Sequence, residues 1–319
     1  MEIAITDYEP WMEDQVCQLF AMNYEVPFEE FRSFFKRFYE DPFQKDHCIR
    51  LAAVEGETVV GFQSFFFWPV KHGEKEIRTY QSGNSLVHPD HRGKGIFGKL
   101  LKRGNVSLEE KGAEMLIGFP VDASLGSFLR IGWNNDFNLQ WFVRPLSPLN
   151  AAMPKRLGTK YDAALSAPPP VSPEKYGVRS SSDNAFYQWR KQYHGLDYYE
   201  IRSQFGDDEL LMVIKLSKRA KVLNELVIGE VYCSSEDPRQ VAHLAKECFK
   251  QIQKQFKGFA FISFAANSKS TSALDQGIIA QGFKKIKKEI YFIHKPFVEG
   301  LTLPPAEHWR MYRGDIDTW

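Results

Sequence analysis

Apolar residues recur at every third or fourth position through the first forty residues of the chain. Amphipathic helices have this spacing, and we expect two of them over residues 11–42, interrupted near Pro27 and Pro42. Beyond them the apolar residues follow one another as they do in strands, and the segments 51–54 and 59–69 flank a short glycine-containing turn. A hairpin is therefore predicted to follow the helices.

The remainder of the first half alternates between strand-like and helix-like segments. The predicted elements are an extended segment over 77–87, a helix over 95–111, a short buried strand over 114–119, a helix over 124–129 that ends at Gly132, and a strand over 139–144. Hairpins come first and a βαβ-type unit follows them. This order predicts an α+β (mixed α/β) fold class, with a mostly antiparallel twisted sheet and flanking helices.

Composition changes in the middle of the chain. Between residues 145 and 182 proline is frequent, including the run 168–170, and many of the other residues are Ala, Ser or Lys. This composition is typical of an extended linker, so we expect a connector between two domains. The length of 319 residues agrees with about two domains.

The second half repeats the order of the first in abbreviated form. Its predicted elements are a helix over 184–199, strands over 210–216 and 225–232, a helix over 241–256, a strand over 259–265, a helix over 272–281 and a strand over 289–294. In both halves a helix ends in a glycine–aromatic pair before the closing strand, at Gly132-Trp133 and at Gly282-Phe283. This repetition indicates a duplication, and two coincidentally similar βαβ segments are the alternative.

Charge and cysteine content narrow the possible partners. Lys plus Arg number 41 and Asp plus Glu number 40, so the bulk charge predicts neither a nucleic-acid partner nor an anionic membrane. No apolar run approaches the roughly 18 to 20 residues of a membrane span, and the acidic N-terminus does not resemble a signal peptide. The cysteines Cys17, Cys48, Cys233 and Cys248 are scattered without metal-ligand spacing. We therefore expect reduced thiols, no metal and a cytoplasmic location.

The segment 87–101 carries the clearest chemical signal, because a predicted strand ends there and a predicted helix begins. Gly93 and Gly95 remove side chains, so consecutive backbone N–H groups can close around a diphosphate. The helix adds its unpaired N–H groups and the positive end of its dipole, and Arg92 and Lys94 add positive charge. The pattern predicts a phosphate site, with a purely structural glycine turn as the alternative.

This segment resembles the signature Q/R-x-x-G-x-G/A of the GNAT superfamily of N-acetyltransferases. Arg92-Gly93-Lys94-Gly95-Ile96 matches its first five positions, whereas Phe97 stands where Gly or Ala is usual and Gly98 comes one residue late. Residues 86–89 look like the family's strand leading into the turn, and Phe128 with Gly132-Trp133 resembles its closing Tyr-x-x-x-Gly-Phe element. The chain is most similar to bacterial tandem-GNAT proteins, also in the tail 314–317.

The resemblance implies a domain organisation and a cosubstrate. Residues 1–145 would form a GNAT acyl-CoA-binding domain, 146–182 a Pro-rich connector, and 183–319 a second GNAT-like lobe that lacks the pyrophosphate turn and carries a docked C-terminal tail. Acetyl-CoA, or another acyl-CoA, would lie where two strands separate. The implied cofactor-binding residues are Leu86, Val87, Arg92, Gly93, Lys94, Gly95, Ile96, Phe97, Gly98 and Ser124. Ser124 is also expected as a helix cap.

The resemblance also implies the reaction. An amine of a small molecule, possibly an amino sugar or a sugar nucleotide, would attack the thioester directly, and the enzyme would remove a proton from the ammonium. The sequence leaves two other readings open. One is a Fem-type aminoacyl transferase that uses aminoacyl-tRNA, and the other is a non-catalytic CoA-binding scaffold. The oligomeric state is not predicted.

The acid/base residues of the family are not kept. Phe128 occupies the position of the usual acidic tyrosine, and the strand segment 81–85 has no carboxylate. The replacement candidates each have a structural alternative, and they are Asp122 near a helix cap, Tyr80 as a packing residue, His88 and His91 as turn residues, and the tail carboxylates of Asp315, Asp317 and Trp319. If the tail docks over the first-domain cleft, the carboxylate of Asp315, Asp317 or Trp319 would act as the base or bind a cationic acceptor.

Overall fold

The computed structural model describes residues 2–161 and 177–319. These residues build a large eleven-stranded sheet with helices on both faces, and a separate small sheet of three short strands. The elements of the first half are β1 (Ile3–Asp7), α1 (Glu13–Tyr24), α2 (Phe28–Tyr39), α3 (Pro42–Lys45), β2 (Ile49–Glu55), β3 (Thr58–Phe67), β4 (Val70–His72), β5 (Lys75–Ile77), β6 (Thr79–Val87), α4 (Ile96–Glu110), β7 (Met115–Gly118), α5 (Asp122–Arg130) and β8 (Asn134–Pro145). The predicted helices and strands are present in this order. The strands β1, β4 and β5 and the helix α3 are additions, too short to be recognised from their own residues.

The second half follows with the same kinds of element. They are α6 (Pro148–Ala152), β9 (Val178–Ser180), α7 (Asn184–Gln192), β10 (Tyr198–Phe205), β11 (Asp208–Arg219), β12 (Leu223–Cys233), α8 (Pro238–Gln255), β13 (Phe261–Asn267), α9 (Ala273–Ile279) and β14 (Lys284–Pro296). The helix predicted over 184–199 is wrong at its end, because Gly195 adopts a left-handed conformation after α7 and β10 begins at Tyr198. The proline run 168–170, within the predicted connector 146–182, lies outside the described residues.

The main sheet has eleven strands in the order β1-β2-β3-β6-β7-β14-β8-β13-β12-β11-β10. The last strand of each half lies next to a strand of the other half. Ile293 of β14 pairs with Gly118 of β7, and Phe142 of β8 pairs with Phe264 of β13. β14 and β8 also pair with each other at the centre of the sheet. The two halves are therefore joined by their own closing strands.

Two parallel strand pairs end in equivalent ways. β6 and β7 pair from Thr79 to Ser82, and β12 and β13 pair from Glu225 to Ile228. In each pair the first strand continues with a glycine at the next position, Gly83 in β6 and Gly229 in β12. Beyond these glycines the strands separate, and each opening between them is called a splay below.

Helices cover both faces of the sheet. α4 and α5 pack on one face of the first half through residues such as Leu100 and Phe128, and α8 and α9 pack on the same face of the second half. α1, α2 and α7 cover the opposite face, where the largest core cluster also includes Trp309 and Trp319 of the C-terminal segment. The tail is therefore part of the core of that face. No helix in the described parts of the chain has the length and apolar character needed to cross a membrane.

Candidate active site

The turn between β6 and α4 is open to ligands. Gly93 and Gly95 have positive φ angles of 79° and 72°, in which a residue with a Cβ is strained. A Cβ on either glycine, or on Gly98, would have no atom within 4 Å. In the described chain the backbone N–H groups of residues 93–98 donate no hydrogen bond. Consecutive free amides at the N-terminus of a 15-residue helix form an anion site.

Neighbouring side chains hold this turn in place. The Arg92 guanidinium donates to the Val87 carbonyl oxygen at 3.1 Å and to Asn23 of α1 at 3.2 Å. His91 lies 3.2 Å from the Glu55 carboxylate, which lowers the pKa of Glu55 through this contact. Arg92 therefore ties the turn to β6 and α1, and Lys94 is the exposed cation beside the free amides.

The two departures from the GNAT signature contact each other. The Phe97 and Phe128 rings lie 5.5 Å apart and nearly perpendicular, and Phe128 also contacts Trp133 at 5.0 Å. Edge-to-face contacts at these distances are favourable. Phe97 thus packs against α5. The turn cleft, of about 510 Å³, is lined by Val87, Ile96, Phe97, Gly98, Ser127 and Arg130, among others.

A β-bulge shapes the splay between β6 and β7. The register between β3 and β6 passes from Ser64–Gly83 to Phe62–Leu86, so β6 has one extra residue there. Asn84 in the bulge has a positive φ of 48°, and its amide donates to the Tyr39 hydroxyl at 2.8 Å. A bulge disrupts the ladder locally and leaves backbone groups unpaired. The bulge lies directly after Gly83, whose carbonyl oxygen accepts a hydrogen bond from the Ser64 hydroxyl at 2.9 Å, and it therefore shapes the start of the opening between the strands.

Tyr80 and Asp122 occupy different surroundings. Tyr80 is fully buried on the α4 face, 5.6 Å from the Phe67 ring and within the paired part of β6. Burial raises its pKa, and its phenol is not at the splay. Asp122 is exposed at the first position of α5, where it bonds to the Tyr291 hydroxyl. The Ser124 hydroxyl donates to the Val121 carbonyl oxygen at 3.1 Å, so it does not cap the helix N–H groups.

The tail brings a carboxylate to the splay of the first half. A Cβ on Gly83 would lie 2.7 Å from Oδ2 of Asp317, so the Asp317 carboxylate lies directly over this glycine. The Asp317 backbone N–H donates to Gln81 Oε1 at 3.1 Å, and Gln81 Nε2 donates to the Asp315 carbonyl oxygen at 3.0 Å. The strand segment without an acidic residue of its own therefore contacts one supplied by the tail.

The environment of Asp317 favours its neutral form. Burial raises the pKa of Asp317 to about 6, and the Arg313 guanidinium opposes this rise. A carboxyl group with such a pKa is deprotonated at neutral pH, and it is a stronger base than an ordinary carboxylate. Asp317 is thus suited to accept a proton at the splay.

Trp319 points into the second half. It is almost completely buried, and its indole lies over Gly229 of β12, where a Cβ would overlap the ring. The structure therefore places this predicted catalytic residue at the second splay, away from Gly83. Sequence reasoning did not identify either glycine as a contact of the tail. A glycine within a strand is a signal of close approach by another group, and both positions carry that signal.

A mixed sheet whose parallel strands β6 and β7 separate beside a glycine turn and a helix N-terminus is the arrangement expected of the GNAT fold. Residues 7–135 match the family model described as "Acetyltransferase (GNAT) domain". The first part of the chain is accordingly a GNAT acetyltransferase domain, and the predictions of the GNAT fold and of an acyltransferase are confirmed.

Solved structures share the fold over most of the chain. A GCN5-related N-acetyltransferase from Anabaena variabilis superposes with a TM-score of 0.67 at 11% identity, covering 92% of this chain and 73% of that chain. A GCN5-related N-acetyltransferase from Kribbella flavida superposes with a TM-score of 0.58 at 12% identity, covering 92% of this chain and 71% of that chain. A tandem GNAT protein from the clavulanic acid biosynthesis pathway superposes with a TM-score of 0.52 at 12% identity, covering 92% of this chain and 98% of that chain. No curated protein matches the sequence.

Proposed function

We propose that the chain transfers an acetyl group from acetyl-CoA to a primary amine of a small molecule. The observation that carries this proposal is that one splay has both a turn of free amides at its end and the Asp317 carboxylate over Gly83 at its beginning. One feature suits the diphosphate of a cosubstrate, and the other suits the ammonium group of an acceptor. The acceptor is expected to be a small amine, and an amino sugar or a sugar nucleotide is one form of it.

The cosubstrate would lie along β6. Its pyrophosphate would accept hydrogen bonds from the amides of residues 93–98, with Lys94 adding positive charge. Its pantetheine arm would pair with the backbone at Leu86 and Val87, on the edge of β6 that β7 no longer covers beyond Ser82. This direction leads the thioester from the turn towards Gly83 and therefore towards Asp317. Ser124, whose hydroxyl is bonded to Val121, has no proposed part in binding.

The proposed reaction is a direct displacement at the thioester carbonyl. The acceptor ammonium gives one proton to Asp317, and the amine lone pair forms the C–N bond while the C–S bond breaks. The nitrogen then gives its second proton to solvent. The backbone N–H of Asn84 in the bulge is the proposed donor to the transient oxyanion. The CoA thiolate takes its proton from solvent, because position 128 has a phenylalanine and cannot donate one. A thiolate is a tolerable leaving group, so this is compatible with turnover.

We further propose the domain organisation expected from the sequence, with a first lobe over 1–145, a connector over 146–182 and a second lobe over 183–319. Among the described residues, only the first lobe has a turn that suits a phosphate. In the second lobe the Asp237 carboxylate accepts hydrogen bonds from the amides of Arg239 and Gln240 at the start of α8. An acidic cap on the same groups that would bind a diphosphate excludes it by charge and by occupancy.

The proposal is tested by thiol release from acetyl-CoA over a panel of amino sugars, amino acids and polyamines, after calorimetry has measured cosubstrate binding. We expect binding, and turnover with at least one amine that depends on Asp317. Binding without turnover on any amine would support the scaffold reading instead. Absence of acetyl-CoA binding would contradict the proposal, and transfer from aminoacyl-tRNA would support the Fem-type reading.

A further inference from the structure

The second splay is occupied by the protein itself. Gly229 follows the last residue that pairs β12 with β13, just as Gly83 follows the last residue that pairs β6 with β7. The Trp319 indole fills the place over Gly229, and a side chain at that position would overlap it. The same tail therefore covers equivalent glycines in both halves, with Asp317 at one and Trp319 at the other.

The contacts of Trp319 are those of a well-fitted anchor. The Lys215 ammonium lies 4.7 Å from the centre of the indole, and the Tyr198 ring lies 5.8 Å away. The Tyr198 hydroxyl donates to the Trp319 carbonyl oxygen at 3.3 Å. Contacts of a buried aromatic ring with a cation and with another ring are both favourable. The indole is thus held by residues of β10, β11 and β12.

The segment between the two splays is also fixed. Tyr193 and His194, which directly follow α7, both contact the Asp317 carbonyl oxygen, at 2.9 Å and 2.7 Å, and the Asp317 N–H is bonded to Gln81. Arg313 donates to the carbonyl oxygen of Thr318 at 2.8 Å. Because only Thr318 separates the two residues, a displacement of the indole is transmitted to Asp317.

We infer that the second splay is a binding site for the Trp319 indole, which makes Trp319 a positioning residue that holds the Asp317 carboxylate against Gly83. The second half would then contribute to the reaction by anchoring the tail instead of binding a second cosubstrate. The kinetic part of this inference rests on the proposed function, in which Asp317 accepts the proton. Its structural part, the dependence of the Asp317 environment on Trp319, does not.

Several charged or titratable groups face Asp317 and its link to Trp319. Arg313 comes from the tail itself, Tyr193 and His194 come from the turn after α7, Tyr24 comes from α1 and Lys215 comes from β11. Burial, with Arg313 nearby, lowers the pKa of Lys215 to about 7, and burial lowers the pKa of His194 to about 4. His194 is consequently neutral where Asp317 titrates, and Arg313 remains the nearby cation throughout.

The test is the titration of Asp317 by NMR in protein labelled with ¹³C at aspartate carboxyls, its signal being the one lost in Asp317→Asn. We expect a midpoint near pH 6 in the wild-type protein. In Trp319→Ala the released tail exposes Asp317 to water, and the midpoint should fall by about one unit or more towards that of a solvated carboxyl. Trp319→Phe keeps a smaller ring and should give an intermediate midpoint.

Trp309→Ala is the matched control, because Trp309 is an equally buried tail tryptophan that packs against Phe137 and Phe292. Its Asp317 midpoint should stay at the wild-type value. An unchanged midpoint in both Trp319 variants, or an equal shift in Trp309→Ala, would overturn the inference. A shift specific to Trp319 in a protein that acetylates no amine would keep the anchor and reject the proposed function. In an active protein, the two Trp319 variants should lower kcat, by about tenfold for Trp319→Ala, without changing the KM for acetyl-CoA.

Discussion

The carboxylate of Asp317 lies over the α carbon of Gly83, so close that a Cβ there would be 2.7 Å from Oδ2. The same Cβ would also lie 2.8 Å from the ring of Phe66, which is buried on the same side of the strand as Asp317. Only glycine therefore allows the tail to approach β6 at this point. The tail supplies the acidic group that the strand segment 81–85 lacks, across a sequence separation of more than two hundred residues.

Gly83→Ala should separate the tail from the first splay. The added methyl group occupies the space of Oδ2, and Phe66 cannot retreat because it is fully buried. We expect kcat to fall by about tenfold or more with acetyl-CoA binding retained, since a small misplacement of a reacting group has a large kinetic effect. Gly126→Ala is the control, because its methyl group would enter open space on the exposed side of α5. Wild-type kcat in Gly83→Ala would reject the contact.

Asp317→Asn should remove the proton acceptor. General acid–base catalysis contributes roughly 10² to 10⁴ in rate, so kcat/KM for the amine should fall by about that factor. In the wild-type protein kcat/KM should rise with pH through about 6, because Asp317 accepts a proton only when it is ionised and burial raises its pKa to that value. The rise should be missing in Asp317→Asn. A pH profile that is unchanged by the substitution would assign the base elsewhere.

Thermal unfolding distinguishes loss of the base from loss of the fold. A carboxyl whose pKa is raised on folding favours the folded state at low pH, and this contribution is lost as pH rises through about 6. Ionised Asp317 therefore opposes folding at pH 8, and the neutral amide of Asp317→Asn should not lower Tm there. A large fall in Tm at pH 8 would show that ionised Asp317 has a structural role.

The turn and the first-lobe elements could be predicted because their signals are local. Gly93, Gly95 and the helix after them occur within a few residues, and the periodicity of each element is contained in its own segment. The pairing of β8 with β13 and of β14 with β7 could not be predicted in this way. The sequence of each strand indicates only that it closes its own half, whereas its pairing partner depends on burial across the whole sheet.

The catalytic predictions show the same limit. The sequence indicates that Phe97 and Phe128 both depart from the signature, and only their contact at 5.5 Å explains the two departures together. Tyr80 was a candidate because of its phenol, yet its position in the paired part of β6 buries it. The sequence offers three candidate carboxylates in the tail and does not distinguish between them. In the structure, the carboxylate of Asp317 is the one that lies over Gly83.

Glu230→Gln should destabilise the protein through the buried charges that support the tail. Glu230 accepts from Arg190 at 2.9 Å and from Tyr232 at 3.0 Å, and it is paired with Lys191. Removing the Glu230 charge leaves two buried cations with only the Asp315 carboxylate, 3.6 Å from Arg190, to compensate them. Breaking a buried charge group in this way costs roughly 3 to 5 kcal/mol. Arg190 also donates to the Gly314 carbonyl oxygen at 2.5 Å, so the tail should loosen.

The measurement is urea denaturation of Glu230→Gln at pH 7, with Glu247→Gln as the matched substitution. Glu247 pairs with Lys250 on the surface of α8, and loss of an exposed pair changes stability little. We therefore expect a large decrease in the free energy of unfolding for the first variant and almost none for the second. Equal effects of the two substitutions would show that the buried group does not stabilise the fold.

The most direct test of the account is calorimetric titration of acetyl-CoA into the wild-type protein, Gly98→Ala and Gly98→Glu. Gly98 lies in the first turn of α4 without a strained backbone, and a Cβ there enters open space beside the free amides. The account predicts binding by the wild-type protein and by Gly98→Ala with similar affinity. It predicts no measurable binding by a folded Gly98→Glu, whose carboxylate would lie where the pyrophosphate binds. Unaltered affinity in Gly98→Glu would contradict the claim that this turn holds the cosubstrate.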